Sequence, residues 1–593
     1  MSCAARPRRR SAARGEASFR QYLGASPFIA LLLGLAAGPA GAGVIQTGDV
    51  AVVPFGGGIV HLRVGDTSTG SLTVDSASAL DGSVGLPPGP TPFNSVMIGL
   101  SATGDGTVNV TGAGSSLTAN TLAAGQLGVA VGISGNGALN VTAGGSVTTN
   151  RFDAGCPTVF VPQTCGGTGT VKVDGSGSTI NAGAVFNVGV SGSASASLTN
   201  GGVVNAQQST IGSLNGSNGK VTVSGAGSQI NLATGASPAF GRAFLNLGRE
   251  QKGELDILAG GKVVLDAAPV ASNITGVNIG GGSGLITDGG SFANGNGTIE
   301  IDGAGSELRI KQSSPFTSIG LQGKAQVDIT NGGKLVVENN AVGSNAYVGR
   351  MAGGSGTVNV SGAGSEWQAG RRLYIGSNSD PANGNPTPGG TGTVNISNGA
   401  KLTVTGPNPN AIYIAAGSKL TGGGGTVVGN ITSDGTIAPG NSPGIMNVYG
   451  NVTLNSGGNV QIELGGTNIA LAQYDQLNVF DNPSPNAAGL NPVEGNLTVN
   501  GTVKVTLYGG YNPFGGSFFD VFTAIDVIEG SPVYDLPTLS GRHWEHSVIG
   551  TGNGREALRL TVVQDQVVPE PGSVALLAFG LAAIRAVRGR ASS

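Results

Sequence analysis

The amino-acid sequence predicts an all-β chain folded as an elongated parallel β-solenoid, or β-helix. Three observations point to it: a glycine-rich composition, a short phrase of alternating apolar and polar residues that recurs, and turn residues after each phrase. Of 593 residues 108 are glycine, 11% are charged and 5% are aromatic. The hydrophobic fraction of 39% is too high for a disordered chain, and so much glycine does not suit ordinary helices.

The recurring phrase has the pattern of a short strand followed by a tight turn. Its full form begins at Gly106, Gly169, Gly219, Gly297 and Gly356, and a sister form begins at Gly137, Gly253, Gly323 and Gly392. Val108 and Val110 alternate with polar residues, which gives the strand one apolar face. Gly-Ala-Gly-Ser or Asn-Gly-Gly then turns the chain, because glycine and asparagine tolerate positive φ. A third element ends in an apolar residue and glycine.

Coils stacked along an axis are the fold that this order of strands and turns indicates. One coil cannot bury its apolar face alone, whereas stacked coils share a continuous narrow core. We therefore predict an N-terminal cap with the first coils at 43–100, a repeat solenoid at 101–465 and a C-terminal β cap at 466–566.

The predicted C-terminal cap holds a dense group of aromatic residues. They are Tyr508, Tyr511, Phe514, Phe518, Phe519, Phe522, Tyr534 and Trp544. Large side chains suit a compact lid over the open end of a solenoid. A platform on which carbohydrate stacks is the alternative.

Residues 1–42 are expected to form a signal peptide with a helical apolar part. A run of arginines precedes the apolar stretch 28–37, and Ala40-Gly41-Ala42 then offers a small-residue cleavage site. We expect export by Sec and cleavage after Ala42. A retained membrane anchor is the alternative.

The last residues, 567–593, combine a proline motif, an apolar run and a basic cluster. The motif is Val568-Pro569-Glu570-Pro571, the apolar residues include Val574, Leu576, Leu577, Phe579, Leu581 and Ile584, and the basic residues are Arg585, Arg588 and Arg590. We predict a short C-terminal transmembrane helix with its arginines on the cytoplasmic side. The 14 residues from Val574 to Val587 are few for a permanent span, which needs about 20. We therefore expect transient anchoring.

This ordered tail resembles the PEP-CTERM sorting signal of Gram-negative bacteria. The resemblance covers about the last 25 residues and implies processing by an exosortase, a membrane cysteine protease. The protein would be held at the membrane by its tail before processing, and would then reach the cell surface or the medium. The phrases across about 100–420 resemble the repeat shared by autotransporter passengers and PEP-CTERM proteins.

Cys156 and Cys165 bracket a short proline-containing loop. In an oxidising compartment the two are expected to form a local disulfide. A metal site is the alternative, but no histidine is near and the spacing matches no zinc pattern.

The charge balance argues against nucleic acid as a partner. Residues 43–568 keep 21 of the 30 Lys and Arg and 31 of the 33 Asp and Glu, a net charge of −10 with histidine neutral. Binding of phosphates needs a basic face. We expect no nucleic-acid partner and no cofactor.

Acidic and histidine residues do not form a recognisable catalytic set in the sequence. Asp174 and Asp302 occupy a repeat position that elsewhere holds Ser or Thr, so we interpret them as turn residues that accept a backbone N–H. His543 and His546 are interpreted as surface residues of the cap, with a metal site as the alternative.

Taken together, the residues predict an exported, non-catalytic structural or adhesive protein. Association with exopolysaccharide, biofilm matrix or a cell surface is what the PEP-CTERM resemblance implies. Two alternatives stay open: a polysaccharide lyase or hydrolase on a β-helix scaffold, and a passenger-like secreted adhesin.

Overall fold

The computed structural model of the chain is all-β, with long sheets of parallel strands. It describes residues 43–55, 59–82, 95–119, 128–157, 166–214, 216–233, 242–266, 274–281, 294–311, 315–338, 344–379, 389–406, 411–440, 442–482, 494–566 and 571–588. Within these ranges lie 49 strands and one α-helix. The all-β prediction is confirmed, and the repeated parallel pairing supports a β-helix-like architecture.

Each coil contributes three strands, and equivalent strands of neighbouring coils pair in parallel to form three ladders. The first ladder consists of β4 (Thr69–Asp75), β7 (Asp105–Thr111), β10 (Asn136–Thr142), β12 (Thr168–Asp174), β14 (Ser193–Thr199), β17 (Asn218–Ser224), β20 (Lys252–Leu258), β23 (Asn296–Asp302), β26 (Lys324–Thr330), β29 (Ser355–Ser361), β32 (Thr391–Ser397), β35 (Lys419–Thr421), β38 (Thr436–Ala438), β41 (Asn459–Leu464), β44 (Thr502–Leu507) and β47 (Val533–Asp535). At about 4.8 Å per strand this ladder is on the order of 70 Å long.

The second ladder follows the turn that closes each repeat phrase. It consists of β5 (Ala79–Asp81), β8 (Ser116–Ala119), the first halves of β11 (Ser146–Ala154) and β13 (Thr179–Val188), β15 (Val203–Ala206), β18 (Gln229–Ala233), β21 (Lys262–Asp266), β24 (Glu307–Lys311), β27 (Lys334–Val337), β30 (Glu366–Ala369), β33 (Lys401–Thr403), β36 (Thr426–Val428), β39 (Ile445–Tyr449), β42 (Gln476–Phe480) and β45 (Phe518–Ala524).

The third ladder completes each coil. It consists of β3 (Ile59–Val64), β6 (Ser95–Ile98), β9 (Val129–Val131), the second halves of β11 and β13, β16 (Gln208–Ile211), β19 (Arg242–Leu247), β22 (Ile274–Ile279), β25 (Phe316–Ile319), β28 (Asn345–Val348), β31 (Arg372–Ile375), β34 (Ile412–Ile414), β37 (Ile431–Ser433), β40 (Val452–Leu454), β43 (Asn496–Val499) and β46 (Asp526–Glu529).

The core lies between the three ladders and runs along the whole stack. In β7 the side chains of Val108 and Val110 are 0% exposed, whereas Thr107 and Asn109 are half-buried on the outer face. One hydrophobic cluster extends from Leu62 to Val562. The alternation seen in the phrases therefore separates core residues from outer ones, because successive strand side chains point to opposite faces.

A glycine follows most of the third-ladder strands and turns the chain toward the next coil. Gly320 has φ 71°, and a Cβ there would lie 2.4 Å from the carbonyl carbon of Ser355 in the following coil. A side chain at this corner would therefore suffer both backbone strain and collision. This explains why the third sequence element ends in glycine.

Both ends of the parallel stack carry antiparallel strands. At the beginning β1 (Gly43–Gly48) pairs with β4 and β2 (Val50–Phe55) pairs with β3. At the other end β49 (Glu556–Gln564) pairs with β45 and with β48 (Arg542–Gly550). Parallel pairing continues beyond residue 465 as far as β47. Antiparallel terminal strands occupy edges that would otherwise offer a template for another chain.

One α-helix, α1 (Pro571–Arg588), lies C-terminal to the described strands. Its start at Pro571 is favourable, because proline is tolerated at the first helical position. Among the helical residues described, no helix is long and apolar enough to cross a membrane, which corrects the expected transmembrane helix. The 18 residues span about 27 Å, against about 30 Å of hydrocarbon, and both Arg585 and Arg588 lie in the last turn.

Candidate functional site

The residues predicted to direct export and sorting are mostly outside the described ranges. Those outside are Ala40, Ala42, Val568, Pro569, Glu570 and Arg590. Within α1 five apolar side chains are 60–75% exposed. They are Leu576, Leu577, Phe579, Leu581 and Ile584. Arg585 is exposed as well, and Val574 and Arg588 are helical.

Cys156 is fully buried and disulfide-bonded. It lies in a small outer cluster on the third ladder, with Met97, Ala130 and Ile133. Its expected partner, Cys165, lies outside the described residues.

Asp174 and Asp302 join neighbouring coils rather than facing an open site. The Oδ1 atom of Asp174 accepts hydrogen bonds from the Thr199 hydroxyl and the Asn200 amide, both at 2.7 Å. Asp302 accepts the same pair from Thr330 at 2.6 Å and Asn331 at 2.5 Å. The hydrogen bond from Thr199 heads the causes that lower the pKa of Asp174. The donors are side chains of the next coil, whereas a backbone N–H was expected.

His543 and His546 lie on β48 and take separate partners. His543 Nδ1 is 2.6 Å from Asp565 Oδ1, and this hydrogen bond raises the pKa of the imidazole. The ring of His546 stacks on Tyr534 with centroids 4.0 Å apart. Residues three apart on a strand point to opposite faces. Across the described ranges, no group of three or more His, Cys, Asp or Glu side chains could hold a metal ion.

The aromatic residues near the C-terminal end divide between buried and displayed rings. Phe519 and Phe522 are 0% exposed, and Tyr511, Tyr534 and Trp544 pack partly buried against the core. Tyr508, Phe514 and Phe518 are 48%, 66% and 49% exposed. The buried rings suit the lid and the exposed rings suit the carbohydrate platform, so both alternatives from the sequence stay open.

Three carboxylates form a column on the outer face of the first ladder. Asp256 pairs in register with Glu300, and Glu300 pairs with Asp328. Glu300 is exposed, but partial desolvation of its carboxylate raises its pKa and the neighbouring carboxylates raise it further. Lys220 lies 2.8 Å from Asp256 and neutralises one end of the column.

A second column on the outer face of the third ladder contains aromatic rings. Ser318, Tyr347, Tyr374 and Tyr413 pair in register in successive coils. Tyr347 and Tyr374 stack with centroids 5.3 Å apart, and Tyr413 donates to Asp434 at 2.7 Å. The guanidinium of Arg350 lies 4.1 Å from the ring centroid of Tyr347. Tyr347, Tyr374 and Tyr413 are only 8%, 3% and 4% exposed, so the part of this column that is open to recognition is its end at the half-buried Arg350.

A surface groove of about 450 Å³ is lined by Ser397, Asn398, Gly423, Gly444 and Ala472. Below it the Asp475 carboxylate, which is 1% exposed, accepts the N–H of Gly444 at 2.6 Å and that of Glu463 at 2.9 Å. Burial raises the pKa of Asp475 to about 7. The two backbone bonds fix the turn, so this carboxylate has a structural role.

The sequence reasoning missed both outer columns. A signal for the acidic column was present, because Asp256, Glu300 and Asp328 share the central polar position of the repeat phrase. The tyrosine column is harder to find. Its residues precede Val-Gly, Ile-Gly or Ile-Ala pairs that are separated by irregular loop lengths.

The chain matches no known protein family. Nor is any curated protein significantly similar to it.

Proposed function

We propose that this is an exported, non-catalytic structural and adhesive protein associated with the cell surface or an extracellular matrix. The proposal is carried by the polar side chains on the outside of the stack, which form hydrogen bonds from one coil to the next. For example, the side-chain amide of Asn231 donates a hydrogen bond to that of Asn205 at 2.9 Å, and the amide of Asn205 donates in turn to that of Asn181 at 2.8 Å. A long stack that repeats such groups offers many weak contacts to a polymer, and their combined effect is avidity.

The proposed route is Sec export followed by processing of the tail by an exosortase-type enzyme. In this proposal α1 holds the precursor at the membrane until processing, and the protein then reaches the surface or the medium. The five exposed apolar side chains of α1 support membrane contact, because exposed apolar clusters mark interaction surfaces.

Two measurements test the proposal. Purified protein is expected to bind the polysaccharide secreted by the producing cells, and deletion of the gene is expected to weaken their matrix. Loss of both effects would refute the adhesive role. Mass spectrometry of the mature C-terminus tests the route separately: we expect loss of the residues after the Pro-Glu-Pro motif, and an intact tail on surface-located protein would refute processing.

A polysaccharide lyase or hydrolase is the second candidate, favoured by the acidic column alone. Glu300 has a raised pKa and pairs in register with Asp256 and Asp328, and glycoside hydrolysis uses a carboxylic acid with a raised pKa beside a second carboxylate. Release of reducing ends or unsaturated products from a glycan panel, abolished by Glu300→Gln, would favour this candidate over the adhesive one.

A further inference from the structure

The guanidinium of Arg350 is enclosed by neutral groups at the corner between the third and first ladders. Its Nε atom donates to Asn378 Oδ1 at 2.8 Å and its Nη1 atom donates to Ser318 Oγ at 2.9 Å. Among the described residues no carboxylate oxygen lies within 4.0 Å of this guanidinium, and Nη2 makes no hydrogen bond to them.

Two aromatic rings flank the same cation. The guanidinium carbon lies 4.1 Å from the centroid of Tyr347 and 5.7 Å from that of Phe316. Asn345 donates to the Tyr347 hydroxyl at 3.1 Å, which holds that ring in place. Phe316 is half-buried, so part of its ring is open to solvent.

A cation this enclosed usually has a carboxylate partner. Removing a charge from water is costly unless a counter-charge and hydrogen bonds compensate. Cation–π contact offsets only part of that cost. Burial also lowers the pKa of Arg350, in keeping with incomplete compensation. Arg309 provides a contrast, because Glu307 and Glu338 both neutralise it.

We infer that Arg350, with Phe316 and Tyr347, binds a carboxylated sugar unit of an acidic polysaccharide. The unbonded Nη2 and the remaining Nη1 hydrogen can hold a carboxylate through two parallel hydrogen bonds. The partly exposed ring of Phe316 offers an apolar surface to the C–H groups of the sugar, which a free inorganic anion lacks, whereas Tyr347, which is 8% exposed and stacked on Tyr374, holds the guanidinium in place. This inference rests on the proposed function and names the ligand class for it.

The test is binding of polygalacturonate to the full-length chain in mild detergent at about 0.15 M salt, where long-range repulsion from the acidic surface is screened. We expect Arg350→Gln to weaken binding at least tenfold and Arg350→Lys to weaken it less. The matched control Arg309→Gln replaces a paired guanidinium on the second ladder and is expected to bind like the wild type. Wild-type affinity in Arg350→Gln overturns the inference.

Other glycans show whether binding depends on negative charge alone or on the carboxylated sugar. Dextran sulfate is expected to bind more weakly than polygalacturonate, and equal binding overturns the carboxylate assignment. If dextran or the cells' own neutral polysaccharide binds while polygalacturonate does not, the inference fails and the adhesive function stands. If no polysaccharide binds, both fail.

If Arg350→Gln folds poorly, thermal unfolding of the wild-type chain provides a second test that needs no variant. Galacturonate oligomers are expected to raise the Tm of the wild-type chain above its value in NaCl of equal ionic strength, because a ligand that binds only the folded state stabilises it. An unchanged Tm at saturating oligomer overturns the inference.

Discussion

The hydroxyl of Ser306 accepts the backbone N–H of Gly260 at 2.9 Å, although the residues are 46 positions apart. The same bond links Ser178 to Gly144 and Ser365 to Gly332, each at 3.0 Å. Every such serine ends a Gly-x-Gly-Ser turn, and every donor belongs to a turn of the preceding coil. In these three pairs the full phrase supplies the acceptor and the sister phrase supplies the donor.

Loss of one serine link should destabilise the stack. Ser178 is 0% exposed, so Ser178→Ala leaves the N–H of Gly144 without its partner and should cost about 1–3 kcal/mol. Urea unfolding followed by circular dichroism measures this cost. Ser176→Ala alters an exposed residue of the same turn and should change stability by less than about 0.5 kcal/mol. Equal effects of the two variants would contradict the structural role of Ser178.

The corner glycines should not tolerate alanine. Gly320→Ala places a Cβ 2.4 Å from the Ser355 carbonyl group, so we expect a loss above about 4 kcal/mol or failure to fold. Gly417 also has positive φ, at 80°, but nothing within 4 Å of an added Cβ. Gly417→Ala should cost only about 1–2 kcal/mol. Thermal unfolding of both variants tests whether collision or backbone strain dominates.

Asp475 should make stability depend on pH between about 4 and 7. Burial raises its folded pKa to about 7, above the usual value of an aspartate, so its contribution is fully present below the unfolded pKa and is lost as pH rises through 7. The expected slope is up to about 1.4 kcal/mol per pH unit. Urea unfolding from pH 4 to 8 should show this decline in the wild type and a flatter profile in Asp475→Asn.

Asp174→Asn is the matched comparison for Asp475, because the pKa of Asp174 is lowered. Its stabilising contribution is present above its unfolded pKa and is lost as pH falls. The two variants should therefore differ from the wild type at opposite ends of the pH range. Parallel profiles would contradict the assignment.

Glu300→Gln should stabilise the chain slightly at neutral pH. Asp256 and Asp328 flank Glu300 in register, and like charges opposite each other destabilise a sheet. The gain should be at most about 0.5 kcal/mol, since Glu300 is exposed and salt screens the repulsion. It should disappear below the pKa of Glu300 and in high salt, as thermal unfolding would show. A loss of stability at pH 7 would indicate that Glu300 has an attractive partner.

Phe519 and Phe514 should respond differently to truncation. Phe519 is 0% exposed and Phe514 is 66% exposed. Phe519→Ala should cost about 3–5 kcal/mol, whereas Phe514→Ala should leave stability nearly unchanged. Comparable losses in urea unfolding would mean that Phe514 is buried in solution, for example between two copies of the chain.

Strands and turns were predictable because their causes are local. The alternation at Val108 and Val110 needs only the two-residue period of a strand, and the turn glycines need only their φ preference. The expected transmembrane helix was wrong because the apolar run and the helix that contains it, Pro571–Arg588, are short and end in arginine.

The outer columns depend on which coil follows which, and loops of irregular length hide that register. Asp256 pairs in register with Glu300, which is 44 positions later in the sequence, whereas Ser318 pairs with Tyr347, which is 29 positions later. The amino-acid order therefore sets the strand type, the buried face and the position of each turn, because these follow from neighbouring residues. Only the stacking of coils brings Arg350 beside Ser318, and with no carboxylate oxygen of the described residues within 4.0 Å of its guanidinium, because no local rule relates residues 32 positions apart.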